Sequence, residues 1–247
     1  MKSTNYTKWN KAVCKLCLLV IIYFSSSTTF ADDLKIGASA VKITPPLGIP
    51  MAGYYHDRGA VKVHDDLYAK ALVIENDGLK VAIVSCDLIK LTAGIVSEAR
   101  YLVEKSIGIN ADNVMIGATH SHTGPVIFDK ENKDKMREKS SKIHDLYISK
   151  LPDLIAESVI NANSALMPAK VSIGLGQEES ISFNRRFYMT DGTVGWNPGK
   201  MNPKIIKPAG PIGPDVFVLY AETLDGKPIS TYVNFALHLD NVGREGA

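Results

Sequence analysis

The sequence predicts an α/β fold, with mixed β-sheets that carry antiparallel hairpins and are flanked by helices. Three observations point there. Two pairs of apolar, β-branched runs are each split by a turn signal, Asn76-Asp77-Gly78 and Leu224-Asp225-Gly226-Lys227-Pro228, which is hairpin chemistry. Two longer stretches place apolar residues at helical spacing. Single strand-length runs lie between them.

Taken in order, Leu34 to Thr44 reads as a strand stopped by Pro45-Pro46. Ala69 to Glu75 and Leu79 to Asp87 form the first hairpin. Thr92 to Ile107 is a helix, with Ile95, Ala99, Leu102, Val103 and Ile107 as its apolar positions. Asn113 to Thr119 is a short strand. Ile143 to Ala165 is a longer amphipathic helix whose buried stripe is Leu146, Ile148, Leu151, Leu154, Ile155 and Val159. Pro152 either kinks that helix or marks its true start. Ala169 to Leu175, Asp215 to Glu222 and Ile229 to Leu237 are further strands, the last two forming the second hairpin. Tyr188 to Pro214 lacks periodicity and reads as a long loop, a length that usually carries function. No internal repeat or low-complexity tract is present.

The first thirty or so residues read as a leader. Lys2, Lys8, Lys11 and Lys15 precede an apolar run from Leu16 to Phe24, and Thr29-Phe30-Ala31 offers small residues for signal peptidase before Asp32. The run is too short for a membrane span, which needs about 20 residues. Residues 1–31 are therefore expected to be a signal peptide, and 32–247 one exported unit, periplasmic or secreted. The leader holds four lysines and no acid, so the formal charge of +2 becomes −2 without it. That balance gives no reason to expect nucleic acid as a partner. Asp129 to Lys142 is dense in charge but mixed in sign, as in a solvated face.

Of the three cysteines, Cys14 and Cys17 fall in the leader. Cys86 alone cannot form an internal disulfide. It stands in the apolar run Val81 to Leu88, so a buried free thiol is expected.

Six histidines remain to be placed. His120 and His122 directly follow the strand ending at Ala118, and His238 follows the strand Thr231 to Leu237. Strand ends converge on ligand crevices in α/β folds, and neutral imidazole is a common zinc ligand. Residues two apart in a strand face the same way, so His120 and His122 are expected to share one site. Thr123-Gly124-Pro125 forces a tight turn right after the pair. The pattern is neither the His-x-His-x-Asp-His of metallo-β-lactamases nor the His-Glu-x-x-His of helical zinc proteases. His56, with Tyr55 and Arg58, lies in a glycine-flanked loop suited to a pocket rim. His64, with Asp65 and Asp66, reads equally as a substrate-side cluster or a solvated turn. Asp87 reads equally as a carboxylate that orients a ligand histidine or as a cap for the next helix. His144 lies on a charged helix face and is expected to be structural.

Ala118 to Pro125, Ala-Thr-His-Ser-His-Thr-Gly-Pro, resembles the hallmark of the neutral, non-lysosomal ceramidases. Further blocks are similar to that family in family order over residues 34–241: Gly37 to Tyr54, His64 to Leu72, Val84 to Leu88, Phe183 to Arg186 and Asn234 to His238. The resemblance implies that His120 and His238 are zinc ligands and that His122 faces the scissile amide. It places Arg185 near the head group or the developing oxyanion; Arg58 and His64, from their loop settings, and Asn184, in the Asn-Arg block, are the candidate substrate-binding residues. Arg185 and Arg186 read otherwise as surface ion-pairing residues. The implied cofactor is Zn2+. The implied partner is a small-molecule lipid amide, with peripheral membrane contact.

The chain departs from the family in two ways. It ends at Ala247, nine residues after His238, whereas the family draws a glutamate and a tyrosine ligand, a Gly-Asp-Val-Ser-Pro-Asn segment and an immunoglobulin-like domain from later sequence. An incomplete catalytic domain is therefore expected: a piece of a longer protein, a truncated reading frame, or a site completed by a partner. Second, Phe183 to Pro214 resembles a bacterial branch whose substrate need not be ceramide. Two other function classes stay open on the sequence: another metal hydrolase, such as a phosphoesterase, and an inactive domain that only binds lipid.

Overall fold

A computed structural model describes residues 34–54, 58–128 and 142–238. The leader at 1–31, Tyr55 and His56, and the mixed-charge stretch 129–141 lie outside them. The described chain is mixed α/β. A seven-stranded sheet has the order β10-β9-β5-β1-β2-β3-β4, and a smaller sheet the order β7-β6-β8.

The centre of the large sheet follows from turn chemistry. β2 (Tyr68–Asn76) and β3 (Leu79–Cys86) pair antiparallel from Asn76↔Leu79 to Ala69↔Cys86. Asp77 and Gly78 take φ of 48° and 77°, the left-handed pair that a two-residue primed turn requires. β1 (Lys35–Lys42) pairs with β2 over its whole length. β4 (Val114–Ala118) lies parallel to β3, and a parallel neighbour needs a crossover. Helix α1 (Ala93–Ile107) supplies it. Thr92 caps its start by accepting from Ile95 N, and Gly108 at φ 72° closes its end. Arg100 Nε donates to Val114 O at 2.8 Å, tying α1 to β4.

Helix α2 (Lys142–Ser164) lies against β1, β2, β3 and α1. Leu151, Ile155, Val159 and Ala162 bury its inner stripe against Val73, Val84, Val103 and Val114. Three expectations need correction here. The helix runs through Pro152, so that residue is not its start. Leu146 is exposed rather than buried, because the inward stripe passes through His144, Tyr147 and Leu151. His144 is accordingly 1% exposed, not on a charged outer face. Its Nε2–H donates to Val126 O at 2.7 Å, a structural role.

β5 (Met167–Gln177), β9 (Asp215–Thr223) and β10 (Pro228–Phe235) complete the large sheet. Gly226 at φ 85° makes the β9–β10 turn. A second cluster, Ile36, Leu72, Ala169 and Ala221, fills the sheet face opposite the helices. The segment read as one long loop carries a small sheet instead: β6 (Arg186–Met189), β7 (Val194–Trp196) and β8 (Ile205–Pro208). Strands of three and four residues are too short for periodicity to register.

Cys86 is buried and free, as expected. Burial pushes its thiol up to about 12, and the neighbouring Asp87 charge adds to the rise. A thiol held neutral in the fold stabilises it fully below the unfolded value of about 8.5, and that contribution is lost as pH climbs towards 12. Unfolding free energy should therefore drop above pH 8.5, by on the order of 1 kcal/mol per pH unit. Urea titrations at pH 8 and pH 10.5 test this, with Cys86→Ala expected to flatten the difference.

Candidate metal centre

The site is built where β3 and β4 end together. Their parallel register brings Cys86 beside Ala118. Beyond them Thr119 N donates to Cys86 O at 2.9 Å and Ser121 N to Leu88 O at 3.1 Å. The loop after β1 closes the other side: Ala52 N donates to Gly124 O, and Val126 N to Pro50 O, both at 2.9 Å. Gly124 and Pro125 thus dock the histidine turn onto residues 50–52.

His120 and His122 meet, but not by strand alternation. The strand stops at Ala118, and His120 stands at φ 61°, in the left-handed region. A non-glycine residue is uncommon there, although histidine tolerates it better than most, and such backbone strain clusters at functional sites. His120 Nδ1 bonds Ile89 O and His122 Nδ1 bonds Gly53 O, each at 2.9 Å. A carbonyl only accepts, so both Nδ1 atoms carry the hydrogen, and in the neutral, metal-binding form of imidazole each Nε2 presents a lone pair. Those two Nε2 atoms are 3.4 Å apart. His238 follows β10, at the far end of the strand order from β4, yet its ring centroid lies 5.0 Å from His120 and 4.6 Å from His122.

One ligand nitrogen from each of His120, His122 and His238 lies within 4.8 Å of the others. Two lone pairs facing each other at 3.4 Å repel unless a cation sits between them. Nitrogens on one tetrahedral zinc, at about 2.0–2.1 Å each, stand about 3.3–3.4 Å apart. The donor set also suits zinc, with backbone carbonyls holding the imidazoles from behind. The residues present therefore fit a zinc ion.

Gly53 serves this arrangement directly. It stands at φ 94°, and a Cβ there would lie 2.7 Å from Cβ, Cγ and Nδ1 of His122. Gly53→Ala should displace the His122 ring and cost about 1–3 kcal/mol of stability. A crystal structure of the variant, with the His122–Gly53 hydrogen bond broken, is the check.

The other expected site residues are spread more widely. Arg58 is close: Nη2 donates to His122 O at 2.8 Å, and its guanidinium lies 3.8 Å from the Tyr54 ring centroid. His64 is exposed, bonded to Asp65 at 2.7 Å, and borders a separate depression with Thr123. Asp87 neither orients a histidine nor caps α1. It accepts from Tyr68 N at 3.0 Å and pairs with Lys70 at 3.3 Å, because its side chain turns towards β2, while Thr92 caps the helix. Asn184 donates to Pro211 O at 3.1 Å and accepts from Arg186 N at 3.0 Å. Arg185 lies over the Trp196 ring at 5.5 Å. The groups that sequence reasoning missed are the carbonyls of Gly53 and Ile89 and the ring of Tyr54. Carbonyls leave no residue-type signal, although the glycine at 53 was one.

The family model described as neutral/alkaline non-lysosomal ceramidase, N-terminal, matches residues 34–191. The chain belongs to that family. Solved structures agree on the fold. A ceramidase complexed with C2 matches with TM-score 0.63 and 24% identity, covering 81% of this chain and 30% of that one. The neutral ceramidase from Pseudomonas aeruginosa matches with TM-score 0.60 and 22% identity, covering 81% and 31%. This chain thus spans less than a third of the length of the solved ceramidases it matches. No curated protein matches it.

Proposed function

We propose that this chain supplies the zinc-holding core of a hydrolase that cleaves the amide bond of an N-acyl lipid, giving a fatty acid and an amine. The observation that carries the proposal is the convergence of His120, His122 and His238 in a ceramidase-family fold. His120 and His238 would hold the ion, and His122 would act on the amide. Bound zinc supplies a water made nucleophilic near neutral pH and a Lewis acid for the carbonyl oxygen.

The chain's own residues set up the rest. Ile89 O and Gly53 O fix the Nδ1–H tautomers, so Nε2 is the nitrogen through which His122 would take a proton and return it to the departing amine nitrogen. Arg58 holds the His122 backbone in place from the cavity side. Arg185 is assigned to the head group or the oxyanion, with His64 and Asn184 on the head-group side. Export after removal of residues 1–31 and peripheral contact with a membrane surface belong to the same proposal. No helix among the described residues is long and apolar enough to cross a membrane.

A second reading makes His122 a third ligand, favoured by its Nε2 lying 3.4 Å from that of His120. The zinc-loaded chain, given matched N-acyl amines and phosphoesters, should cleave the amides. Cleavage of phosphoesters alone would sink the proposal. His122→Ala divides the two readings: zinc kept with activity lost marks a group that acts on substrate, and zinc lost with activity marks a ligand.

A further inference from the structure

Strand pairing sorts the small sheet of β6, β7 and β8 into two faces. Residues directly opposite one another point the same way, and successive residues of a strand alternate. Arg186 pairs with Trp196, and Tyr188 with both Val194 and Lys207. Phe187 and Met189 belong to the other face, which is turned inward, with Met189 buried. The outer face therefore presents Tyr188, Val194 and Trp196 between Arg186 and Lys207, and all five are exposed. An antiparallel sheet with one packed face normally turns polar residues to solvent on the other. Here Trp196 is 56% exposed, and Met201, between β7 and β8, is 96% exposed.

The charge of this segment is equally one-sided. Residues 183–214 hold five basic residues and one acid, whereas the rest of 32–247 holds more acids than bases. The one acid, Asp191, accepts from Thr193 N and Thr193 Oγ1 at 3.0 and 2.6 Å. Lys207 Nζ lies 5.8 Å from the Tyr188 ring centroid, and the Arg185 guanidinium 5.5 Å from that of Trp196. Exposed apolar patches mark protein or membrane partners. Lysine is depleted in protein–protein interfaces, whereas Trp and Tyr beside Lys and Arg are the residues that settle at bilayer head groups.

We infer that the outer face of the β6–β8 sheet docks on an anionic lipid bilayer. Trp196 and Tyr188 enter the head-group layer, and Arg186 and Lys207 meet the lipid phosphates. This rests on the proposed membrane contact of an N-acyl lipid hydrolase and gives that contact a place. Docking there sets Arg185, assigned to the head group, beside the lipid surface. The chain returning from β8 also runs close to the metal centre: a Cβ at Gly213 would lie 3.4 Å from Cβ of Ala236, two residues before His238.

The two tryptophans are Trp9 and Trp196, so residues 32–247 alone report through Trp196. That stretch keeps the whole of the compact unit Leu34–Ala247. It is titrated with vesicles of phosphatidylcholine, either pure or with about one-third phosphatidylglycerol, while sedimentation measures binding and amide cleavage is followed separately. Trp196 emission should shift to the blue and be quenched by acyl-brominated lipid. Anionic vesicles should bind at least about tenfold more tightly than neutral ones, with a preference that shrinks at high salt. Arg186→Gln combined with Lys207→Gln should weaken binding to anionic vesicles about tenfold or more, and Tyr188→Ser about threefold, each with the melting temperature of the wild type. Bound vesicles with unchanged Trp196 emission would overturn the inference and put the membrane contact elsewhere. Equal binding to neutral and anionic vesicles, or binding untouched by the double variant, would overturn it too. A blue shift that grows with protein concentration in the absence of lipid would assign the face to a second copy of the chain instead. Amide cleavage by a chain that binds no vesicle would remove this inference and leave the hydrolase reading standing. Docking through Trp196 with no amide cleaved would keep the face and count against hydrolysis.

Discussion

His120→Ala is expected to remove zinc-dependent amide hydrolysis almost entirely, by roughly 10³-fold or more. A metal ion supplies several kcal/mol of transition-state stabilisation, and each 1.36 kcal/mol is tenfold in rate. His120 is the imidazole on which the cluster is organised. Its left-handed backbone, at φ 61°, aims the ring, Ile89 O fixes its tautomer, and its Nε2 faces that of His122. Alanine removes the donor and its hydrogen bond to Ile89 O while keeping the left-handed backbone, so the variant should melt slightly lower than wild type in the absence of zinc. Zinc should raise the melting temperature of the wild type and not that of the variant. A variant that stays active would show that His120 is not part of the chemistry.

Gly37→Ala should be among the most destabilising small substitutions in the chain. A Cβ at Gly37 would lie 2.0 Å from Ala162 O, 2.8 Å from Leu166 N and 2.9 Å from the carbonyl carbon of Ala165. All three are backbone atoms where α2 ends over β1, so no side chain can rotate aside. Overpacking of a tight core costs typically 1–3 kcal/mol, and this contact belongs at the upper end, about 3 kcal/mol. For a domain of this size that lowers the melting temperature by about 6–12 °C. Thermal unfolding followed by circular dichroism reads it directly. A drop of under about 2 °C would mean that α2 does not seat on β1 as described.

What was legible in the sequence is what local chemistry dictates. Asn76-Asp77-Gly78 specified the β2–β3 hairpin because the turn needs two left-handed residues. Apolar spacing over Thr92 to Ile107 marked α1, whereas its cap is Thr92, whose hydroxyl takes the Ile95 N–H, and not Asp87. The His-x-His turn and His238 were legible through the family motif. Tertiary choices were not. Asp87 sits one residue past β3, and nothing in its neighbours tells that its carboxylate turns to Tyr68 N. His144 did leave a signal, since 144, 147 and 151 share one helical stripe, but the charges at Lys142 and Asp145 masked it. The sheet of β6, β7 and β8 is held by pairing of short segments, such as Arg186↔Trp196 and Phe187↔Pro208. Such long-range partners carry no periodic mark. The convergence of His120 and His122 was foreseen for the wrong reason: a turn, not strand alternation, brings them together.

The proposed function depends on the zinc site at His120, His122 and His238. It is tested most directly by titrating zinc into the metal-stripped chain against a chromophoric chelator of known affinity. One zinc per chain is expected, with binding lost in His120→Ala and in His238→Ala. No competition with the chelator, or equal zinc uptake by the wild type and both variants, would contradict it.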